Sequence, residues 1–472
     1  MANYSLGIDV GTSGVKAGIL NLAELQLEHI AQRGYDSSAT QDAGTIWNQT
    51  IEAVKESVGN FEKGDDICGI GLSGQMHGTV LFDSNGVIIG PIINWQDKRC
   101  DEPLERYKGK TTIEIMEEIL GSGGFDDLGI DVMASGFFGA TLFYLRENNR
   151  TLFDSVKHAM LPTDYVRGKL LGKNDYATDQ TNAFSTGLFN TRLNRWHREF
   201  IERLGLPLNV FPDVHYTSEI AGYLDREVAG YTGLKKGIPV IFGGGDNQMS
   251  ILGSGLVSSD SPILVNIGTG SQVSKIIAEY RKIPGVDTRS FFNGSYALVG
   301  ASLGGGTSYK WLWDEIKKNE NKDIDFSQMD ELASEIKPGS DGLRFCPGPS
   351  RKNPNRKIGF YGNMKYEHNI GHKARAVMEG VLMDLYEFYR HFGNDLSKSM
   401  VGAGNGLQKS DVWSQIAADL FDKTLLLTDF ENAVFGAALM AASETGGIED
   451  LGKAINSIKY RDIPPIPGIR RV

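Results

Sequence analysis

The chain has 472 residues, 40% of them hydrophobic, and a formal net charge of −11 with a pI near 5.3. That length supports two hydrophobic cores, and the acidic balance argues against a nucleic-acid or anionic-membrane partner. The longest uncharged apolar stretch, 433–442, is far shorter than a bilayer span, the opening MANYSLGIDVG lacks a secretory pattern, and Cys68, Cys100 and Cys346 are too scattered for a disulfide framework or zinc site, so a cytoplasmic protein with free thiols is expected.

In chain order, the β-branched runs SLGIDV, VKAGIL and ICGIGLS read as strands, with TIWNQTIEAVKESV between the second and third as an amphipathic helix. PVIFGGG, PILVNIG and YALVGAS are later strands, followed by the helices HKARAVMEGVLMDLYEFYRHF and SDVWSQIAADLF. The alternation predicts an α/β protein. In the first of these two helices Ala376, Val377, Gly380, Val381, Asp384 and Leu385 form the expected core face, with Arg375 and Glu379 on the other side.

Two motif-like stretches are set aside. Gly109-Lys110-Thr111-Thr112 resembles the end of a phosphate loop, but Leu104 stands where the loop's first glycine is required, so a solvated loop is expected. His368 and His372 have metal-pair spacing, yet no zincin glutamate follows His368 and Gly371 interrupts the turn, so the pair reads as the start of a helix.

An internal echo divides the chain. GIDVGTSGVKAGIL (7–20) and LVNIGTGSQVSKII (264–277) are each strand, Gly-Thr turn, strand, with Asp9 falling on Asn266. Two related halves follow, 1–243 and 244–472. A hairpin turn of Gly, Thr and Ser aims backbone N–H groups and hydroxyls at one point, as an anionic phosphate requires. Two such turns facing each other across a cleft would grip a nucleotide's phosphates.

Taken together, GIDVGTSGVK, SGQMHG, NWQDKR, GGGDN, NIGTGS and the distal GAGNG, ADLF and FGAALMAA resemble the FGGY carbohydrate kinases. The matches run in order from residue 7 to about 442. The resemblance implies an actin-like, ribonuclease-H-like two-domain ATPase fold with an interdomain active-site cleft, a sugar-binding first domain and a nucleotide-binding second domain. It also implies transfer of the γ-phosphate of ATP, with Mg2+, to a primary hydroxyl of an open-chain sugar or polyol.

It further implies roles for particular residues. Asp246, at the end of a glycine run, would be the base that takes the hydroxyl proton and, with Asn247 beside it, would contact the sugar; its reading as a plain helix cap is the alternative, and a helix N-terminus beside it would keep it ionised. Asp9 would hold magnesium through water, with Asp246 also near the metal. Thr12, Ser13 and Lys16 would contact phosphates, opposed by Gly268, Thr269 and Gly270. Gly402, Gly404 and Asn405 would lie against the nucleoside, although Ala403 and Asn405 depart from the family's usual glycine run. Gln75, Met76, His77, Trp95 and Asp97 would receive the sugar, with Arg99 assigned to an internal pair.

SGQMHG and GGGDN are similar to xylulokinases, whereas NWQDKRC with TDQTNAFSTGLFNT resembles sedoheptulokinases. Sedoheptulose is the expected acceptor, with D-xylulose as the alternative. A third reading, an actin- or Hsp70-like ATPase acting on protein partners, lacks the expected further domain, because the sequence closes on RDIPPIPGIRRV. A homodimer is compatible with the family.

Overall fold

The computed structural model describes residues 3–59, 61, 66–121, 123–320, 323–348, 355–362, 364–393 and 395–468. It divides into two compact units, the first Met1–Val257, Arg289–Tyr296 and Phe430–Ile458, the second Ser258–Thr288, Ala297–Asp429 and Lys459–Val472. The expected boundary at 243/244 falls inside the first unit, which also takes back a late piece of chain.

Unit 1 is built on the sheet of β1 (Tyr4–Val10), β2 (Gly14–Asn21), β3 (Gln26–Gly34), β4 (Ile67–Gly74), β5 (Ile220–Tyr223), β6 (Pro239–Ile241) and β7 (Gly244–Gly245). The order is β5-β6-β4-β1-β2-β3, with β7 continuing along β4. β1 and β4 are buried almost throughout, because helices cover both faces of a largely parallel centre. α1 (Ala43–Gly59) covers one face.

The other face receives α6 (Asn432–Glu444), the apolar stretch noted in the sequence, which packs on β1, β4 and α2 (Asp246–Gly253). Its approach is at backbone distance. A Cβ on Gly7 would sit 2.1 Å from the Val434 carbonyl, one on Gly71 1.9 Å from that of Ala437, and one on Gly253 1.9 Å from that of Asn432. Glycines on one side and alanines on the other permit this, and any side chain at those positions pushes the helix off.

Unit 2 repeats the plan. β8 (Ile263–Ile267) pairs antiparallel with β9 (Ser271–Ile277) and parallel with β12 (Ser399–Ala403), as β1 pairs with β2 and β4. The sheet is completed by β10 (Asp287–Ser290), β11 (Tyr296–Ser302), β13 (Thr424–Leu427) and β14 (Arg461–Ile463). α3 (Gly306–Glu320), α4 (Ile370–Tyr389) and α5 (Asp411–Phe421) supply its core.

α4 differs from expectation on its polar side. Arg375 and Glu379 are buried rather than solvated; Arg375 Nε donates to Glu379 Oε1 at 2.9 Å, and Glu379 also accepts from the Gly339 amide and the Ser340 hydroxyl. Asn369 caps this helix with His372 completing a capping box, so the His368–His372 spacing marks a helix start. Thr111 likewise caps the helix Thr112–Leu120, while Lys110 pairs with Glu118. Cys68, Cys100 and Cys346 are free thiols, and among the described residues no helix is long and apolar enough to cross a membrane.

Candidate active site

Three parallel strands of unit 1 end side by side. The register sets Asp9 of β1 beside Ser73 of β4 and Ser73 beside Gly244 of β7, so the turn after β1, the Gln75–His77 segment and Asp246 all leave the carboxyl edge of the sheet. The glycines before Asp246 make this possible. Gly243 has φ +76 and a Cβ there would sit 2.2 Å from the Leu72 carbonyl; one on Gly245 would sit 2.7 Å from Met76 Sδ. The Gly245 amide donates to Thr181 Oγ1 at 2.9 Å, and Thr181 is fixed by Asp179, the cap of the helix Gln180–Phe184.

Asp246 is the first residue of α2 and Gly245 its cap, so the capping alternative does not hold. Its Oδ1 accepts from the Asn247 amide at 2.7 Å, and Arg289 Nη1 donates to Asn247 Oδ1 at 3.1 Å. Burial and then the charge of Asp9 push the Asp246 carboxyl up to about 7, against smaller opposing effects of the Asn247 amide and Arg289. The helix N-terminus therefore does not keep this acid fully ionised, contrary to expectation. Its acidity instead falls where a group can both hold and release a proton near neutrality.

Asp9 Oδ1 accepts from Ser73 Oγ at 2.8 Å. Burial raises its pKa, with Ser73 and Lys16 lowering it and Glu431 raising it. Lys16 is engaged in an ion pair, its Nζ 2.8 Å from Glu431 Oε2.

The turn after β1 has its carbonyls tied down. Tyr35 Oη donates to the Gly11 carbonyl, Gln41 Nε2 to that of Thr12 at 2.7 Å, and the Tyr35 amide to that of Ser13 at 3.1 Å. With every carbonyl bound from the protein side and the Gly11 amide closing the turn on the Gly14 carbonyl at 2.9 Å, the Thr12 and Ser13 N–H groups and hydroxyls are left as a candidate anion-binding face. In unit 2 the same is achieved by backbone: the Gly306 and Thr307 amides donate to the Gly268 and Thr269 carbonyls at 2.8 and 3.0 Å. Gly305 permits that approach, since a Cβ there would lie 2.6 Å from Gly270.

The predicted sugar residues behave unequally. His77 holds φ +74, its amide donates to Ser185 Oγ at 3.0 Å, and its ring stacks on Phe137 at 4.3 Å. The 2.6 Å contact of Nδ1 with the Ser185 carbonyl places the proton on Nδ1 and makes Nε2 of the neutral ring an acceptor. Gln75 and Met76 are buried, and Trp95 stays 45% exposed with its indole face open. Asp97 gives both oxygens to Arg99, at 2.7 and 2.9 Å, so it shapes the loop. In unit 2, Gly402 packs into the core, where a Cβ would meet Leu425 and Leu427, whereas Gly404 has φ +84 beside Asn266, and Asn405 is exposed.

Sequence reasoning did not single out Ser73, Thr181, Ser185 or Arg289. The first three stand inside quoted motifs, but only strand register and loop packing show what they hold. Arg289 lies on the short segment that enters unit 1 and has no local signature.

Models of the FGGY family of carbohydrate kinases match along the chain, the N-terminal domain over residues 4–253 and the C-terminal domain over 263–445. The chain is 29% identical to the xylulose kinase of Bacillus subtilis over 474 residues, covering 95% of this chain and 89% of that one. It is 25% identical to the gluconokinase of the same organism over 491 residues, covering 98% and 92%. The crystal structure of xylulose kinase from Rhodospirillum rubrum matches it with a TM-score of 0.84 at 23% identity, over 98% of this chain and 94% of that one, which gives the two-domain actin-like fold.

Proposed function

This chain belongs to the FGGY family of carbohydrate kinases and so is an ATP-dependent sugar kinase, and we propose that its acceptor is a ketose, D-xylulose, phosphorylated on its terminal primary hydroxyl. Family membership removes the protein-acting ATPase from consideration. The expectation of sedoheptulose gives way to its alternative, because the relatives reported above are named for xylulose and gluconate.

The observation that carries the chemistry is Asp246, held by the Gly243–Gly245 run beside Asp9 with its acidity shifted to about 7. A primary hydroxyl is a poor nucleophile; Asp246 accepts its proton as the oxygen attacks the γ-phosphorus, and the proton returns to solvent after the sugar phosphate leaves. In unit 1, Thr12 and Ser13 receive the transferring phosphate; in unit 2, Gly268, Thr269, Gly270, Gly404 and Asn405 are the candidate nucleotide contacts. Lys16, Asp97 and Gly402 take supporting positions instead.

Asp9, Ser73 and Asp246 offer hard oxygen donors, and the unfavourable effect of Asp9's charge on Asp246 is one that a divalent cation relieves, so the set fits Mg2+ held by Asp9 through water and near Asp246. Bound there, such an ion would neutralise charge on the phosphates. Gln75, the Nε2 of His77 and the face of Trp95 bind and orient the sugar, and Met76 packs against its carbon chain.

ADP release measured with D-xylulose, sedoheptulose, D-gluconate and glycerol tests the assignment. D-xylulose is expected to give the highest kcat/KM. A higher value with any of the others overturns it.

A further inference from the structure

We propose that Trp95 and the Gln41–Gln75 pair brace Thr12 from two sides, making phosphate binding at the first turn depend on residues that receive the sugar; this rests on the kinase reading above. The indole Nε1 donates to Thr12 Oγ1 at 2.8 Å. An indole N–H can only donate, so the threonine oxygen must accept and its single proton is turned to another acceptor. At this turn the acceptor is a phosphate oxygen.

The second prong holds the Thr12 backbone. Gln41 Nε2 donates to the Thr12 carbonyl at 2.7 Å and to that of Asp36 at 2.9 Å, and Gln41 Oε1 accepts from Gln75 Nε2 at 3.1 Å. Gln75 Oε1 has no hydrogen-bond partner in the structure, although its side chain is only 1% exposed. A buried amide oxygen in that condition calls for a donor, and a sugar hydroxyl is one. Occupation of that oxygen fixes the Gln75 amide and, through Gln41, the turn.

Trp95 is exposed at its ring but fixed at its backbone. The buried Asn94 donates from its amide to the Ala39 carbonyl at 2.9 Å and from Nδ2 to that of Ser38 at 2.7 Å, while its Oδ1 accepts the Gln96 amide at 2.9 Å. A Cβ on Gly136, which has φ +82, would lie 2.3 Å from the Trp95 carbonyl. The anchored residue thus has one soft degree of freedom, its ring torsions. A sugar lying on the indole face restricts those torsions, and with them the direction of the Thr12 proton. Trp95 is in this sense a positioning residue for phosphate as well as a surface for sugar.

The test is a double-mutant cycle on the full-length kinase, reading KM for ATP at saturating sugar and KM for the sugar that gives the highest kcat/KM. Trp95→Phe, which keeps a ring but loses the N–H, and Thr12→Val are each expected to raise KM for ATP about fivefold, with the double variant no worse than the poorer single. Thr12→Ser, which keeps the hydroxyl, is expected to stay within about twofold of the parent, separating a lost hydrogen bond from a damaged turn. If Trp95→Phe alters only the KM for sugar, or the two effects add, the brace is overturned while the kinase reading stands. If Thr12→Val leaves the KM for ATP unchanged, the phosphate role of the turn fails and the brace fails with it.

Discussion

The Gly11–Ser13 and Gly268–Gly270 turns occupy the same place in two sheets of the same plan, yet they are stabilised and charged differently. The first is tied by side chains, those of Tyr35, Gln41 and Trp95, and stands between Asp9 and a hydrogen-bonding Ser73. The second is tied by the amides opening α3 and stands beside the uncharged Asn266, whose strand partner is Ala403. Both turns spend their first amide internally, Gly11 on the Gly14 carbonyl and Gly268 on that of Gly270, each at 2.9 Å, but only the first has carboxylates beside it. A phosphate-holding turn needs just backbone and glycine; proton transfer and cation binding need acids, and a second acid in unit 2 would only repel the phosphates.

The largest break in this comparison is expected from Asp246→Asn, which removes the base while keeping size and fold: kcat should fall about a thousandfold, read by ADP release. Asp9→Asn makes the first hairpin a copy of the second and should lower kcat/KM about a hundredfold. An effect of opposite sign is expected in stability. Folded Asp246 keeps its proton up to about 7, whereas the unfolded carboxyl releases it near 3.8, so rising pH between these values progressively destabilises the parent protein. Asn has no such proton. The Asn variant should therefore match the parent near pH 4 and exceed it by on the order of 4 kcal/mol at pH 8, measured by urea unfolding without ligands. Ser73→Ala is the gentlest change. It removes the donor that lowers the Asp9 pKa, and kcat/KM should fall about fivefold at neutral pH and recover as pH rises.

Much of the candidate site's backbone is legible in the sequence because the features that carry it are local. A glycine run before an acid, or Gly-Thr between two apolar strands, has the same backbone consequence wherever it occurs, and the structure places the two hairpins and the strand-end positions of Asp9 and Asp246 where those patterns put them. What the sequence did not show was long-range. Glu431, from the far end of the sequence, is placed against Lys16. Gly402 and Gly404 look equivalent on paper, but one lies against Leu425 and Leu427 while the other bends at φ +84. The expected boundary at 243/244 lies within the first compact unit, since no local pattern announces that α6 returns to the first sheet. The burial of Arg375 and Glu379 shows the opposite limit: a helical wheel assigns charges outward, and a mutual ion pair with added hydrogen bonds lets them face inward.

That return of α6 has a consequence during synthesis. A nascent chain carrying residues 1–257 has made most of the first unit and the proposed base, but not the helix that covers Gly7, Gly71 and Gly253. Until residues 432–444 emerge from the ribosome, one apolar side of β1 and β4 stands bare, an invitation to chaperones and to self-association. A translation pause between the two encounters would be felt in the yield of soluble product before it was felt in any rate of phosphorylation.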